Sequence, residues 1–290
     1  MKNKFIKSHG LGNDYIVIDS NDISFTIDSN SAKLICDVHY GIGSDGLLVK
    51  VPSNKADFKV RMFNPDGSEF EKSGNGLRIF SKYLYDYGFT KSKSFSIETN
   101  GGIVNAEIKK IEYGKVKIIK IEMGNAEFDS KKIPVNINND LCIDESLTID
   151  NIDFKINCVS MGNPHCVVIK KKLDVDEIMK YGSLIETHNI FPNRVNVQFV
   201  EIINRSEANI LIWERGVGFT NASGSSSCAV AAVLKKINYI DDKINIKMPG
   251  GSLDIEVDNN YNITMTGEVQ QIVKGHFSNE FVDLLNGKSN

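Results

Sequence analysis

The chain repeats parts of its own sequence at a spacing of 150 residues, and this repeat narrows the folds it can adopt. Three pairs recur at that spacing in the same order: Gly12-Asn13 as Gly162-Asn163, Phe63-Asn64 as the similar pair Trp213-Glu214, and Ser73-Gly74 as Ser223-Gly224. A fourth pair, Gly101-Gly102, returns as Gly250-Gly251 at a shift of 149. Ordered matches at nearly one spacing predict two copies of one supersecondary plan.

Each copy combines short strand-like segments with one long apolar helix. Segments such as Phe58–Met62 and Val195–Phe199 alternate and are rich in β-branched residues, which is typical of strands. Residues Gly76–Tyr85 and Ser227–Lys236 predict one helix in each copy, just after the Ser-Gly pair. We therefore expect an α/β fold of two pseudo-symmetric lobes, each a β-rich, barrel-like sheet wrapped on a central helix.

The length of 290 residues suits two lobes that each bury a core. The repeat predicts an N-terminal lobe over residues 1–130 and a C-terminal lobe over residues 150–275. A polar stretch, residues 131–149, is predicted to cross between them, and residues 276–290 to form a C-terminal tail.

Composition argues against several classes of partner. The 34 Lys and Arg residues nearly balance 37 Asp and Glu residues, so neither nucleic acid nor an anionic membrane is indicated. The N-terminus has no apolar signal region and no stretch suits a membrane span, which predicts a cytoplasmic protein. Five cysteines without a CxxC pair indicate reduced, mostly buried thiols, and the scattered histidines do not suggest a metal site. A small-molecule partner is the expectation, with a monomer and a homodimer both open.

The repeat also predicts a ligand site. Ser73-Gly-Asn-Gly76 and Ser223-Gly-Ser-Ser-Ser227 begin the two central helices, and if the lobes face each other these helix ends can converge. Free N–H groups at helix N-termini favour a bound carboxylate. Ser73 and Ser223 would then lie on opposite sides of the carbon next to it.

Several ordered motifs resemble the diaminopimelate epimerases across the whole chain. They are Lys7-Ser-His-Gly-Leu-Gly-Asn-Asp-Tyr15, Gly41-Ile-Gly-Ser-Asp45, Phe63-Asn-Pro-Asp-Gly-Ser-Glu69, Gly74-Asn-Gly76, Met161-Gly-Asn-Pro-His165, Arg194-Val-Asn196, Trp213-Glu-Arg-Gly216 and Met265-Thr-Gly267. The resemblance implies two similar lobes around a cleft, no cofactor and no metal. It also implies a two-base epimerisation of LL- to meso-diaminopimelate, in which one thiolate removes the α-proton and the opposite thiol supplies one. This reaction belongs to lysine and peptidoglycan biosynthesis.

The resemblance also implies roles for single residues. Those similar to the distal-end binding residues are Asn13, Asn64, Asn163, Asn196, Glu214 and Arg215. Those similar to the α-carboxylate cradle are Gly74, Asn75, Gly224 and Ser225. His165 and Glu214 are the expected helpers of proton exchange at the catalytic positions.

The catalytic positions are where this chain departs from the family. Its two catalytic cysteines fall at Ser73 and Ser223, and a serine hydroxyl titrates several units above a thiol, so proton abstraction should be slower by orders of magnitude. Ser225-Ser226 and Gly46 also differ from the usual family residues. Either the thiols were replaced by design or the chain is a natural relative with changed activity. A non-epimerising amino-acid-binding relative, or an isomerase or eliminase of another amino acid, therefore stays open as an alternative.

Overall fold

The computed structural model describes residues 2–287 and confirms the α/β prediction. Contacts divide the chain into two compact units: an N-terminal unit up to Ile121 that also takes in the chain from Gly267 onward, and a C-terminal unit of Glu122–Thr266. The predicted bounds at 130, 150 and 275 differ from this division. The chain passes from one unit to the other at Ile121 and again at Thr266. Both points lie within strands, where the alternation of apolar residues continues and marks no boundary between units.

The first half of the chain contains eight strands and two helices. The strands are β1 (Lys4–Gly10), β2 (Asn13–Asp19), β3 (Leu47–Val51), β4 (Phe58–Phe63), β5 (Glu69–Phe70), β6 (Ser94–Thr99), β7 (Gly102–Glu112) and β8 (Lys115–Asn125). The helices are α1 (Ser29–Cys36), which follows β2, and α2 (Gly74–Asp86), which follows β5.

The second half repeats this order. After β9 (Glu145–Ile149) come β10 (Ile152–Ser160), β11 (Pro164–Lys170), α3 (Val175–Glu186), β12 (Asn196–Asn204), β13 (Glu207–Glu214), β14 (Gly218–Thr220), α4 (Gly224–Lys236), β15 (Lys243–Met248), β16 (Gly251–Val257) and β17 (Asn262–Glu268). The chain closes with β18 (Gln270–His276) and α5 (Asn279–Leu285). Within the predicted tail the structure describes α5, and residues 288–290 lie outside the described part.

Strand pairing is the same in both halves. β1 pairs antiparallel with β2, which pairs parallel with β3; β10, β11 and β12 repeat these two pairings. β4 pairs parallel with β6, as β13 does with β15. The second neighbour of the first strand also corresponds: β18 pairs antiparallel with β1, as β9 does with β10. The repeat predicted from the sequence is therefore a repeat of topology.

The two central helices form the cores around which these strands pack. In α2 every residue from Gly74 to Leu84 is buried, and in α4 every residue from Cys228 to Leu234 is fully buried. Burial of each large aliphatic side chain contributes about 1.5–3 kcal/mol. Both helices were predicted and begin two or three residues earlier than expected, because Ser73 and Ser223 act as their N-caps.

The sequence analysis did not predict three of the helices: α1, α3 and α5. α1 begins with a capping box in which Asp28 and Ser31 bond each other's backbone, and α3 begins at the N-cap Asp174. Their sequence signals were present, and both helices bury only one face, whereas α2 and α4 are buried along most of their length. All five cysteines are buried, as expected. Among residues 2–287 no helix is long and apolar enough to cross a bilayer.

Candidate functional site

Ser73 lies at the start of α2 with an extended backbone, its φ being −138°. Its Oγ accepts a hydrogen bond from the Gly76 N–H at 3.0 Å and lies 3.3 Å from the hydroxyl of Tyr15. The side chain is therefore held against the first turn of the helix. The helix macrodipole makes this position favourable for negative charge.

Asn75, in the same first turn, is oriented by two neighbours within the N-terminal unit. Its Oδ1 accepts from Arg78 Nη2 at 2.6 Å, and its Nδ2 donates to Asn13 Oδ1 at 3.1 Å. Asn13 donates in turn to the Asp45 carboxylate at 2.9 Å. The structure thus joins Asn75 and Asn13 by a hydrogen bond, in the helix turn that Ser73 caps.

Arg78 is fully buried and orients Asn75, a role that the sequence analysis did not predict. Besides Asn75 it reaches the Gly74 carbonyl at 3.5 Å and the Glu268 carbonyl at 3.3 Å. Gly10 leaves space for it, because a Cβ there would lie 2.8 Å from Arg78 Nη2. An arginine inside an apolar helical run was the signal that could have identified it, since charged residues are almost never fully buried unless paired.

Asn64 lies in the tight turn that follows β4. Its backbone N–H donates to the Ser68 carbonyl at 2.8 Å and its Nδ2 donates to Ser68 Oγ at 3.0 Å. The turn holds Gly67 at a φ of 82°, where a Cβ would lie 2.2 Å from the Ser29 carbonyl oxygen. Asn64 is therefore fixed by its own turn.

Ser223 starts α4 of the C-terminal unit in the same way. Its φ is −147°, its Oγ accepts from the Ser226 N–H at 3.4 Å, and the hydroxyl of Ser225 lies 3.5 Å away. Ser223 is buried, whereas Ser225 is half-buried. One serine N-cap is thus present in each unit, at the helix starts that the repeat predicts.

His165 is fully buried in the C-terminal unit, and both ring nitrogens have partners. Gln198 Nε2 lies 3.1 Å from Nδ1 and Asn163 Oδ1 lies 3.0 Å from Nε2. Because an amide N–H can only donate, Nδ1 is the acceptor, and the ring proton is on Nε2 and points at Asn163. Burial, with a smaller contribution from Arg215, lowers the pKa of His165 to about 3, so the ring is neutral at pH 7.

Gln198 extends this network to α4, a role that was likewise not predicted from the sequence. Its Nε2 donates to Ser226 Oγ at 3.0 Å as well as to His165. Its Oε1 is buried without a hydrogen-bond partner in the described residues. A polar residue at the centre of the apolar strand β12 was the available signal, because buried amides are normally hydrogen-bonded.

Asn196 fixes the chain after β13. It is buried, its Nδ2 donates to the Pro164 carbonyl at 2.9 Å, and its Oδ1 accepts from the Arg215 N–H at 3.0 Å. The Arg215 guanidinium is exposed and donates to the Asn193 carbonyl at 3.1 Å. The half-buried Glu214 precedes it, so a carboxylate and a guanidinium belong to consecutive residues of one turn.

These groups share a chemistry that suits an amino-acid ligand. Helix N-termini can hold a carboxylate, while amides and a Glu-Arg pair can hold ammonium and carboxylate groups through charge-assisted hydrogen bonds. In residues 2–287 no group of three or more His, Cys, Asp or Glu side chains is arranged to hold a metal ion.

Comparison with known proteins points to one family. The family model described as diaminopimelate epimerase matches residues 5–128 and 157–272. "Diaminopimelate epimerase 2" of Nostoc sp. is 46% identical over 278 residues, which cover 96% of both chains. "Diaminopimelate epimerase" of Acetivibrio thermocellus is 42% identical over 275 residues, covering 94% of this chain and 97% of the relative.

A solved structure has the same fold at much lower identity. The crystal structure of a hydroxyproline epimerase from Agrobacterium vitis matches with a TM-score of 0.71 and 12% identity, covering 95% of this chain and 90% of that chain. At this identity the similarity concerns the fold alone.

Proposed function

Because the chain belongs to the diaminopimelate epimerase family, we propose that it binds LL- and meso-diaminopimelate and that its serines slow their interconversion. The observation that carries the proposal is the pair of N-cap serines: Ser73 and Ser223 occupy the same position in the repeated plan, each at the start of a buried helix. A two-base epimerisation needs two such groups, one to remove the α-proton and one to return a proton on the other face.

Substrate binding is assigned to the groups around those two helix starts and to the turn after β13. The N–H groups of Gly74, Asn75, Gly224 and Ser225 would hold the α-carboxylate, since the first N–H groups of a helix have no partner within the helix. The distal amino-acid end is assigned to Asn13, Asn64, Asn163, Asn196, Glu214 and Arg215. The Glu-Arg pair supports this, because the distal end carries an ammonium and a carboxylate of its own.

The serine hydroxyls are expected to limit the rate of proton abstraction. A thiol titrates near 8.5 and can lose its proton at a helix N-terminus, whereas a serine hydroxyl needs a strong adjacent base. Each pKa unit costs about 1.4 kcal/mol, so several units slow proton abstraction by orders of magnitude. We therefore assign to this chain the binding step in full and the epimerisation at a strongly reduced rate.

The roles of His165 and Glu214 differ. Glu214, half-buried beside Arg215, keeps the proposed role of helping a catalytic group exchange its proton. For His165 we propose a narrower role, because a ring with a pKa of about 3 is a poor base near pH 7. Its Nε2–H orients the Asn163 amide, whose N–H groups would then point toward the ligand. The cytoplasmic location stays a prediction from the sequence, as does the choice between monomer and homodimer.

The test compares this chain with Ser73→Cys/Ser223→Cys and with Ser73→Ala/Ser223→Ala. Exchange of the α-proton in D2O is followed for LL- and meso-diaminopimelate, and binding is measured by calorimetry. We expect all three proteins to bind. The cysteine form should exchange and epimerise at least about 10³-fold faster than the serine form, since a thiolate replaces a hydroxyl.

The outcomes separate the alternatives. Binding by all three with exchange in the cysteine form alone supports an epimerase scaffold limited at two atoms. Binding without exchange in any form would favour a non-epimerising amino-acid-binding protein. If no form binds diaminopimelate, the substrate assignment is wrong.

A further inference from the structure

Glu186, the last residue of α3, is a buried carboxylate that the proposed reaction does not use; it is 5% exposed. Its Oε2 accepts a hydrogen bond from the indole Nε1 of Trp213 at 2.8 Å, and its Oε1 accepts from the Gly216 N–H at 2.9 Å. Arg194 Nη1 lies 3.5 Å from Oε1. Hydrogen bonds to an ionised acceptor are roughly twice as strong as neutral ones, so this carboxylate is a firm anchor.

The same helix fixes the Trp213 ring from its face. A Cβ on Gly182 would lie 2.7 Å from two ring atoms of Trp213, so the backbone of α3 contacts the indole directly. Gly182 and Glu186 are four residues apart and therefore lie on one face of the helix. Together they hold the face and the N–H edge of a single side chain.

This arrangement fixes both ends of a four-residue segment. Trp213 and Gly216, which are bound by the one carboxylate, enclose Glu214 and Arg215. A further bond from the Arg215 N–H to Asn196 Oδ1 at 3.0 Å holds the middle of the segment. The directions of the Glu214 and Arg215 side chains are consequently set by α3, an element that carries no proposed ligand contact.

We propose that Glu186 is a positioning residue for the distal amino-acid end of diaminopimelate, acting through the Trp213–Gly216 segment. This inference rests on the proposed function, which assigns Glu214 and Arg215 to that end of the ligand. The carboxylate is required because it accepts from two N–H donors at once. A glutamine has one acceptor oxygen and an NH2 group that would oppose one of the donors.

The experiment uses the chain as it stands, with Glu186→Gln and a matched control, Glu177→Gln. Glu177 lies on the same helix but its Oε1 pairs with Lys170 at 2.6 Å, away from the tryptophan. Calorimetry gives the Kd of meso-diaminopimelate for each protein. The chain contains one tryptophan, so its indole N–H gives a single NMR signal that reports the Glu186 bond without ligand.

We expect Glu186→Gln to move the indole N–H signal, speed its exchange and raise the Kd about tenfold, as for the loss of one charge-assisted bond. Glu177→Gln should leave the indole signal in place and the Kd within about twofold of the parent. If Glu186→Gln does not fold, Trp213→Phe removes the donor and keeps a ring, and it too should weaken binding.

A folded Glu186→Gln whose indole signal moves while its Kd stays within about twofold of the parent would overturn the proposal, because Glu186 would then be purely structural. So would Glu177→Gln weakening binding as much as Glu186→Gln. If the parent itself binds no diaminopimelate, it is the proposed function that fails, and the role of Glu186 for that ligand fails with it.

Discussion

The N-terminal and C-terminal units place different buried side chains at corresponding points of the same plan. In the N-terminal unit Leu48 of β3 faces Gly76 of α2, where a Cβ would lie 3.2 Å from Leu48 Cδ2. In the C-terminal unit the positions 150 residues later hold Gln198 and Ser226, joined by a 3.0 Å hydrogen bond. The apolar contact of the N-terminal unit is thus replaced by a hydrogen-bonded pair in the C-terminal unit. Both positions of the pair hold different residues in the two units.

The helices α1 and α3 show the same contrast. α1 ends at Cys36, whose sulfur lies 3.5 Å from the Ser44 hydroxyl, and burial raises the pKa of that thiol. The corresponding residues of the C-terminal unit are Glu186 and Arg194, which form an ion pair. The repeat therefore preserves the backbone plan while the C-terminal unit carries the charged anchor.

The first turns of the central helices differ as well. In the N-terminal unit Arg78 orients Asn75, whereas the corresponding residues of the C-terminal unit are Cys228 and Ser225. Each helix start is therefore supported in its own way: by a buried guanidinium in one unit, and by the Gln198 network in the other. Substitutions that remove the Arg78 guanidinium or change the Gln198 network therefore test whether the two helix starts are stabilised differently.

The largest effect is expected at Arg78. Arg78→Met removes the donors that satisfy Asn75 and the carbonyls of Gly74 and Glu268, so the free energy of unfolding should fall by about 3 kcal/mol or more. Arg61→Met is the matched control, since Arg61 forms a partly exposed ion pair with Glu69 and should cost less than about 1 kcal/mol. Urea unfolding measures both. If both variants lose the same free energy of unfolding, the buried guanidinium of Arg78 contributes no more to stability than a partly exposed one.

His165 should make the C-terminal unit sensitive to acid. Its pKa is about 3 in the folded protein and ordinarily 6.5, so between these values the unfolded state binds more protons. Stability should therefore fall as pH drops from 6.5 toward 3, by up to about 1.4 kcal/mol per pH unit from this group.

The check is the pH dependence of unfolding between pH 6.5 and 4.5. His165→Gln should flatten the slope, whereas His276→Gln, which changes an exposed residue, should leave it unchanged. A parent and a His165→Gln variant with the same slope would show that His165 is not the group that titrates.

The smallest change in stability is expected when the hydrogen-bonded pair of the C-terminal unit is replaced by the residues at the corresponding positions of the N-terminal unit. Gln198→Leu and Ser226→Gly should each cost about 1–2 kcal/mol alone, because each leaves a buried partner without its bond. The double variant should cost less than the sum by at least about 0.5 kcal/mol, since Leu48 and Gly76 already pack this way. Additive losses in urea unfolding would mean that the two sites are independent.

The sequence by itself determined the repeat, the α/β plan, the two central helices and the Ser-Gly pair before each of them. These features depend on local signals: alternation of apolar residues, one long apolar run per copy, and a Ser-Gly pair at a fixed spacing. Each signal lies in a short segment, or in the comparison of two such segments, so it can be interpreted without knowing what packs against it.

Only the tertiary structure decided which residues support the site and where the units divide. Arg78 reaches the distant Glu268 carbonyl as well as its own helix turn. Gln198 bonds Ser226 and Glu186 bonds Trp213, which are also far away along the chain, and no periodicity marks such contacts. The pKa of His165 depends on burial by several elements at once. The C-terminal strand β18 joins β1 across almost the whole sequence, because strand pairing is a long-range choice that neither local pattern contains.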